Sequence, residues 1–112
     1  MNDYQEDHGA LIEDENSNLL LIKGNLATKE DTKLYIKKVS SAMLVVIQKH
    51  GSARLRCVGA AAVNNAIKAE IIASGEAKKK GVNLAVVSSF KTVTFGENDE
   101  RTAIVLEVIQ MQ

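Results

Sequence analysis

The sequence predicts an α+β fold in which a mixed four-stranded sheet is covered on one face by two helices. Two long segments place apolar residues at helical spacing, and four other segments have the apolar runs, alternation or β-branched content of strands. Along the chain they follow the order β-α-β-α-β-β. This order contains two β-α-β units with right-handed crossovers and ends in a hairpin, which together predict a two-layer sandwich.

The four strands are predicted from short-range patterns. The first is the apolar run 19–22, which ends before Gly24, and the second, 54–58, alternates polar and apolar residues. The third covers 83–95, and the last, 101–111, is rich in β-branched residues. The polar residues between these two strands form the turn of the hairpin.

The first helix is predicted at about 29–50. Thr28 stands three residues before Asp31, the spacing of a capping box, and Gly51 occupies the position expected of a left-handed C-cap. The second helix is predicted at about 61–75, followed by a basic loop over 76–81. The predicted buried faces are Leu34, Ile36, Val39, Met43, Val46 and Ile47 on the first helix, and Val63, Ala66, Ile67 and Ile71 on the second.

The charges of this 112-residue chain are unevenly distributed although its net charge is zero. Residues 1–17 hold six acidic residues and no Lys or Arg, and they are predicted to be a disordered N-terminal tail. Residues 18–112, the predicted folded domain, hold all 14 basic residues and eight acidic ones, a net charge of +6. This asymmetry favours nucleic acid as a partner. The tail either folds over the cationic surface and competes with phosphate or serves only as a solvated leader.

Composition also excludes several classes of protein. The single cysteine, Cys57, rules out an internal disulfide and points to a reducing compartment, so we expect a cytoplasmic protein. No apolar run has the length of a membrane span. No motif has metal-ligand spacing, no His is placed beside a nucleophile, and no phosphate-binding glycine loop occurs. We therefore predict no cofactor, no metal and no enzymatic activity.

The turn Gly59-Ala60-Ala61 before the second helix has almost no side-chain cover. A bare turn allows close approach of a phosphate, a base or a partner subunit. Within the second helix, Asn64 and Lys68 lie one turn apart and could present an amide and an ammonium group to a phosphate. The alternative is a solvated helix face on which Asn64 helps to cap the turn.

Two arginines of the second strand, Arg54 and Arg56, are predicted to point to the same side of the sheet. On an open face they would form a cationic pair. Otherwise they would pair with an acid such as Glu107 on a neighbouring strand.

Two motifs resemble the SpoVS (stage V sporulation protein S) family over about 39–108. The first is the Gly-Ala turn followed on the helix by Asn64, Ala66, Lys68 and Ala69, and then by Gly75. The second is the stretch Glu100-Arg101-Thr102-Ala103-Ile104. The resemblance implies a small regulatory protein with a role in development, such as sporulation.

The SpoVS family is in turn similar to the Alba superfamily, whose members share this element order and bind DNA or RNA, usually as dimers. Carried over to this chain, the Alba contacts after the first strand imply Lys23 and Lys29, and those flanking the hairpin imply Lys91 and Arg101. At the turn before the second helix, this chain has neutral residues where Alba proteins have basic ones. The resemblance implies a homodimer or higher homo-oligomer that binds nucleic acid. The alternative is an oligomeric scaffold whose surface at 59–63 contacts protein.

Overall fold

Six elements follow one another in the predicted order β-α-β-α-β-β. A computed structural model describes residues 17–111, so the predicted tail lies outside the described residues except for its last position. The elements are β1 (Leu19–Ile22), α1 (Lys29–His50), β2 (Ser52–Cys57), α2 (Ala60–Lys79), β3 (Asn83–Thr94) and β4 (Glu100–Met111). The predicted α+β fold with a mixed four-stranded sheet is confirmed.

The strands are arranged in the order β1-β2-β4-β3. β1 pairs with β2 in parallel, and β4 pairs antiparallel with both β2 and β3. Since β2 and β3 both run opposite to β4, they are parallel to each other although they do not touch. β1, β2 and β3 therefore all end at the same end of the sheet.

The core lies between one face of the sheet and the two helices. Leu55 is fully buried and stands opposite Leu20 on one side and Leu106 on the other. Because side chains alternate along a strand, Arg54 and Arg56 project from the face away from this core. The helices complete the core with residues such as Val39 and Met43. Burial of each such large side chain contributes about 1.5–3 kcal/mol.

Both ends of α1 lie where the sequence predicts them. The Thr28 hydroxyl accepts a hydrogen bond of 3.0 Å from the backbone of Asp31, and Gly51 adopts a φ of 85°. The predicted buried face of α1 is wrong at Leu34, which is 58% exposed, while the neighbouring Tyr35 is buried. Tyr35 is the better core residue because its hydroxyl finds a hydrogen-bond partner in the loop after β1.

The predicted end of α2 at Gly75 is wrong, because the helix continues to Lys79. Gly75 lies within regular helix, and one turn further Ala77 is buried against the core. Gly81, two residues after the end of the helix, has a φ of 80°; its N–H bonds to the Lys78 carbonyl, and the N–H of Val82 bonds to the Ala77 carbonyl. These two bonds form a Schellman motif. Most of the predicted basic loop is therefore the last turn of α2, where lysines interact favourably with the helix dipole.

The predicted buried face of α2 is also largely wrong. The helix packs through a row of alanines, whose small side chains let it approach α1 and the sheet closely. Consequently Ile67 and Ile71 remain 36% and 61% exposed on its outer side. The buried alanines are Ala62, Ala66, Ala69, Ala73 and Ala77.

Candidate functional site

The three segments that the resemblance implicates lie at one end of the sheet. β1, β2 and β3 all end there, so the loop 23–28, the turn 58–59 and the hairpin turn 95–99 lie at the same end, and the β3–β4 hairpin extends four residues of β4 beyond the last pair with β2. The first turns of both helices begin at the same end. The fold thus brings sequence segments that are far apart in the chain to one end of the molecule.

The two helices lie side by side and run in the same direction. Their N-terminal halves border an open cleft of about 470 Å³, which we call the interhelix cleft. It is lined by 25–29, by Thr32, Lys33 and Ile36 of α1, and by Asn64, Asn65 and Lys68 of α2. The structure therefore brings together Lys29, Asn64 and Lys68, three of the residues singled out in the sequence. Lys23 lies just outside, two residues before the lining segment.

The charge of the interhelix cleft is entirely positive. Lys29, Lys33 and Lys68 line it, and none of its lining residues is acidic. Among residues 17–111, these three lysines form no ion pair. The acids nearest in sequence, Glu30 and Asp31, lie about 100° and 200° around the helix from Lys29, and neither of them lines the cleft. Three ammonium groups without a compensating carboxylate favour an anionic ligand.

Side-chain hydrogen bonds fix the loop that forms one wall of the cleft. The Thr32 hydroxyl donates to the Thr28 carbonyl at 3.0 Å and accepts from the backbone of Leu26 at 3.1 Å. The Tyr35 hydroxyl accepts from the backbone nitrogen of Lys23 at 2.7 Å. Burial raises the pKa of Tyr35, and the hydrogen bond from Lys23 opposes this shift in part. The phenol stays protonated at neutral pH and acts as a structural anchor.

Asn65 of α2 holds the same loop from the other side. Its amide nitrogen donates to the carbonyl oxygens of Lys23 at 3.1 Å and Gly24 at 3.0 Å. Because carbonyls only accept, these two bonds fix the orientation of the amide. The side chain is 1% exposed, and within residues 17–111 its Oδ1 has no hydrogen-bond partner.

The bare turn before α2 is closely approached by another segment of the same chain, the loop after β1. A Cβ at Gly24 would lie 3.3 Å from the Cβ of Ala61, so the loop after β1 packs directly on the turn. Gly59 adopts a φ of 94°, and no side chain caps the helix there. Gly59 and Ala60 are exposed and remain open to contact.

A second groove, which we call the hairpin groove, separates α2 from the β3–β4 hairpin. It is lined by Gly59, Ala60, Val63, Asn64 and Ile67 on one side, by Phe90, Thr102 and Ile104 on the other, and by Cys57. Phe90 is 79% exposed, the largest value among the large apolar residues of 17–111. Burial raises the pKa of the Cys57 thiol to about 11, so this cysteine is protonated and unreactive at neutral pH. The character of the hairpin groove is apolar.

The structure does not bring the two hairpin residues, Lys91 and Arg101, into the interhelix cleft. The Arg101 guanidinium lies 3.2 Å from the Asp99 carboxylate and 4.7 Å from the centre of the Phe95 ring. Lys91 pairs with Ala103 and projects from the face of the hairpin opposite to Phe90. These two cations belong to a separate part of the same end of the molecule.

The arginines of β2 are also remote from the cleft, because they lie on the face of the sheet away from the helices. Arg54 stands opposite Glu107 in the sheet register, and its Nε donates to the side chain of Asn18 at 2.8 Å. Among the lysines that follow Gly75, Lys79 pairs with Glu76 at 3.0 Å. Both side chains of this pair are largely exposed, so it contributes little stability.

Sequence reasoning missed Lys33 and Asn65. Lys33 could have been found, since it lies four residues after Lys29 and therefore on the same helix face. The role of Asn65 had no such signal, because its partners are backbone groups about forty residues earlier in the chain.

Within the described part of the chain, no three His, Cys, Asp or Glu side chains are grouped as metal ligands would be. Nor does any helix there combine the length and apolarity needed to cross a membrane.

Comparison with known families gives a match over most of the folded part. The family described as stage V sporulation protein S (SpoVS) matches residues 29–111. The match begins ten residues before the resemblance noted in the sequence and includes Lys29 and Lys33 as well as all of α2. The chain is thus a sporulation-related protein and belongs to the SpoVS family.

Proposed function

We propose that this chain is a nucleic-acid-binding regulator that acts in the cytoplasm and holds the phosphate backbone of DNA or RNA at the interhelix cleft. The observation that carries the proposal is the convergence of Lys29, Lys33 and Lys68 on a cleft without a carboxylate. Lysine ammonium groups donate to phosphate oxygens and displace counterions from the backbone. Such contacts position a protein on nucleic acid without reading its sequence.

The adjacent start of α2 supports this proposal. Its first turn contains no acidic residue, and its N-cap, Gly59, offers no side-chain oxygen to the free N–H groups. The positive end of the helix dipole therefore adds to the charge of the cleft. No aromatic residue among 17–111 lines the cleft, so we expect backbone contacts to dominate over stacking on bases.

We also propose that the protein works by binding and not by catalysis. The exposed His50 lies at the C-terminal end of α1, where its charge is favourable for the helix dipole. Cys57 is buried with a raised pKa, which removes the only thiol as a nucleophile. The lysines of the cleft have no neighbouring acid that would act with them in proton transfer.

The test is titration of fluorescent duplex DNA and RNA with the full chain at about 50 and about 200 mM salt. The variants Lys29→Gln, Lys33→Gln and Lys68→Gln each remove one cation from the cleft. Each should reduce the slope of log affinity against log salt by about 0.7–0.9. Lys49→Gln is the matched control, since Lys49 is exposed in the last turn of α1, at the opposite end of the helix.

Failure to bind either nucleic acid at the lower salt concentration would contradict the proposal. Equal slopes for the three cleft variants and the Lys49 control would also contradict it, because binding would then not use the cleft.

A second candidate function is that of an oligomeric scaffold, and the hairpin groove favours it. Phe90 and Ile67 are exposed apolar residues on the two sides of this groove, and the exposed Ile71 lies one helical turn after Ile67. A large exposed apolar patch is typical of a protein–protein contact. We propose a second copy of the chain as the partner. The apolar groove and the interhelix cleft meet at Asn64 and otherwise have different lining residues, so we propose that assembly and nucleic-acid binding are compatible.

A further inference from the structure

The interhelix cleft contains an unsatisfied hydrogen-bond acceptor in addition to its three lysines. The Oδ1 of Asn65 has no hydrogen-bond partner within residues 17–111, although the residue is only 1% exposed. Its amide nitrogen is held by the carbonyls of Lys23 and Gly24, so the oxygen cannot exchange places with the nitrogen. The acceptor therefore has a fixed orientation and lies beneath the surface of the cleft wall, to which Asn65 belongs.

A phosphate group cannot satisfy this acceptor. Phosphate oxygens accept hydrogen bonds, so they suit the lysine ammonium groups but not the Oδ1 of Asn65. The ligand that matches the whole cleft combines an anionic group with a nearby hydrogen-bond donor. In a nucleic-acid backbone, the ribose 2′-hydroxyl is the donor that lies next to a phosphate, and DNA lacks it.

We propose that the interhelix cleft holds a ribose–phosphate unit of RNA and so favours RNA over DNA, an inference that rests on the proposed function. The phosphate contacts Lys29, Lys33 and Lys68, and the 2′-hydroxyl donates to the Oδ1 of Asn65. Because this oxygen is covered in the unbound protein, binding displaces side chains of the cleft wall.

The decisive experiment changes the ligand and leaves the protein intact. The full chain is titrated with an RNA duplex and with a 2′-fluoro duplex of the same sequence. Both keep A-form geometry, but fluorine cannot donate a hydrogen bond. We expect the RNA duplex to bind about three- to tenfold more tightly, the effect of one hydrogen bond. A DNA duplex should also bind less tightly than the RNA duplex.

Variants assign the effect to a residue. Asn65→Ala should abolish the preference for RNA over the 2′-fluoro duplex, whereas Lys68→Gln should weaken both and preserve their ratio. Thermal unfolding checks that Asn65→Ala is folded, and if it is not, the ligand comparison stands on its own.

Equal affinity for the RNA and 2′-fluoro duplexes would overturn the inference and leave the proposed function intact. A preference that persists in folded Asn65→Ala would overturn the role of Asn65. No binding of any duplex at low salt would instead overturn the proposed function itself.

Discussion

The phenol oxygen of Tyr35 accepts a 2.7 Å hydrogen bond from the backbone nitrogen of Lys23. Since Asn65 binds the carbonyl oxygen of the same residue at 3.1 Å, Lys23 is held from both sides. One helix supplies each anchor, Tyr35 from α1 and Asn65 from α2. The loop that borders the interhelix cleft is thus positioned by the same packing that brings the helices together.

Replacing Tyr35 with Phe should destabilise the protein by about 1–3 kcal/mol, because the Lys23 N–H loses its partner in a partly buried position. Urea unfolding measures the change. Ser40→Ala is a control, because its hydroxyl bonds only within α1, to the Lys37 carbonyl. A Tyr35→Phe protein as stable as the parent would show that this anchor is dispensable.

Gly75 within α2 and Gly81 in its C-terminal cap should respond in opposite ways to substitution by alanine. Gly75 lies inside the helix with open space around it, so Gly75→Ala should stabilise the fold by about 0.5–1 kcal/mol. Gly81 has a φ of 80°, so Gly81→Ala should destabilise it by about 1 kcal/mol. Thermal melts of the two variants test the continuation of the helix, and stabilisation by Gly81→Ala would contradict the cap.

Removal of the acidic tail should affect nucleic-acid binding. A chain shortened to residues 18–112 loses six acidic residues and no basic ones. If the tail competes with phosphate, the shortened chain binds nucleic acid more tightly and with a steeper salt dependence. The full and shortened chains are compared in the same titration. Unchanged affinity would mean that the tail is only a solvated leader.

Assembly through the hairpin groove should depend on Phe90. Phe90→Ser removes the most exposed large apolar side chain in the described residues and should raise the dimer dissociation constant at least about tenfold. Light scattering over a range of concentrations measures this. Leu34→Ser is the matched control, since Leu34 is also exposed but lies on α1, outside the groove. A chain that is monomeric throughout would contradict the dimer.

The rate at which the Cys57 thiol is alkylated should report whether the chain is folded. Its pKa of about 11 keeps the native thiol protonated at pH 8, so alkylation should be slow until the chain unfolds. The unfolded thiol loses its proton at lower pH than the folded one, so stability should fall as pH rises from about 9 to about 11. Equal alkylation rates in native and urea-unfolded protein would contradict the burial of Cys57.

The sequence by itself determined the features that depend on a few neighbouring residues. Thr28 and Gly51 predicted both ends of α1, and the hydrophobic patterns predicted the strands and their order. The family motifs lie in continuous segments and were readable for the same reason. Lys29, Asn64 and Lys68 were singled out individually, without any indication that they share one cleft.

Only the tertiary structure decided which face of α2 is buried and what lines the cleft. The sequence pattern predicts that the large residues Ile67 and Ile71 lie in the core. In the structure α2 packs closely through its row of alanines instead, so the two isoleucines remain exposed. Lys33 and Asn65 join the site for a similar reason, since their positions follow from how α1, α2 and the loop at Lys23 fit together. Local patterns encode backbone conformation, whereas a cleft depends on the relative placement of elements that are distant in the chain.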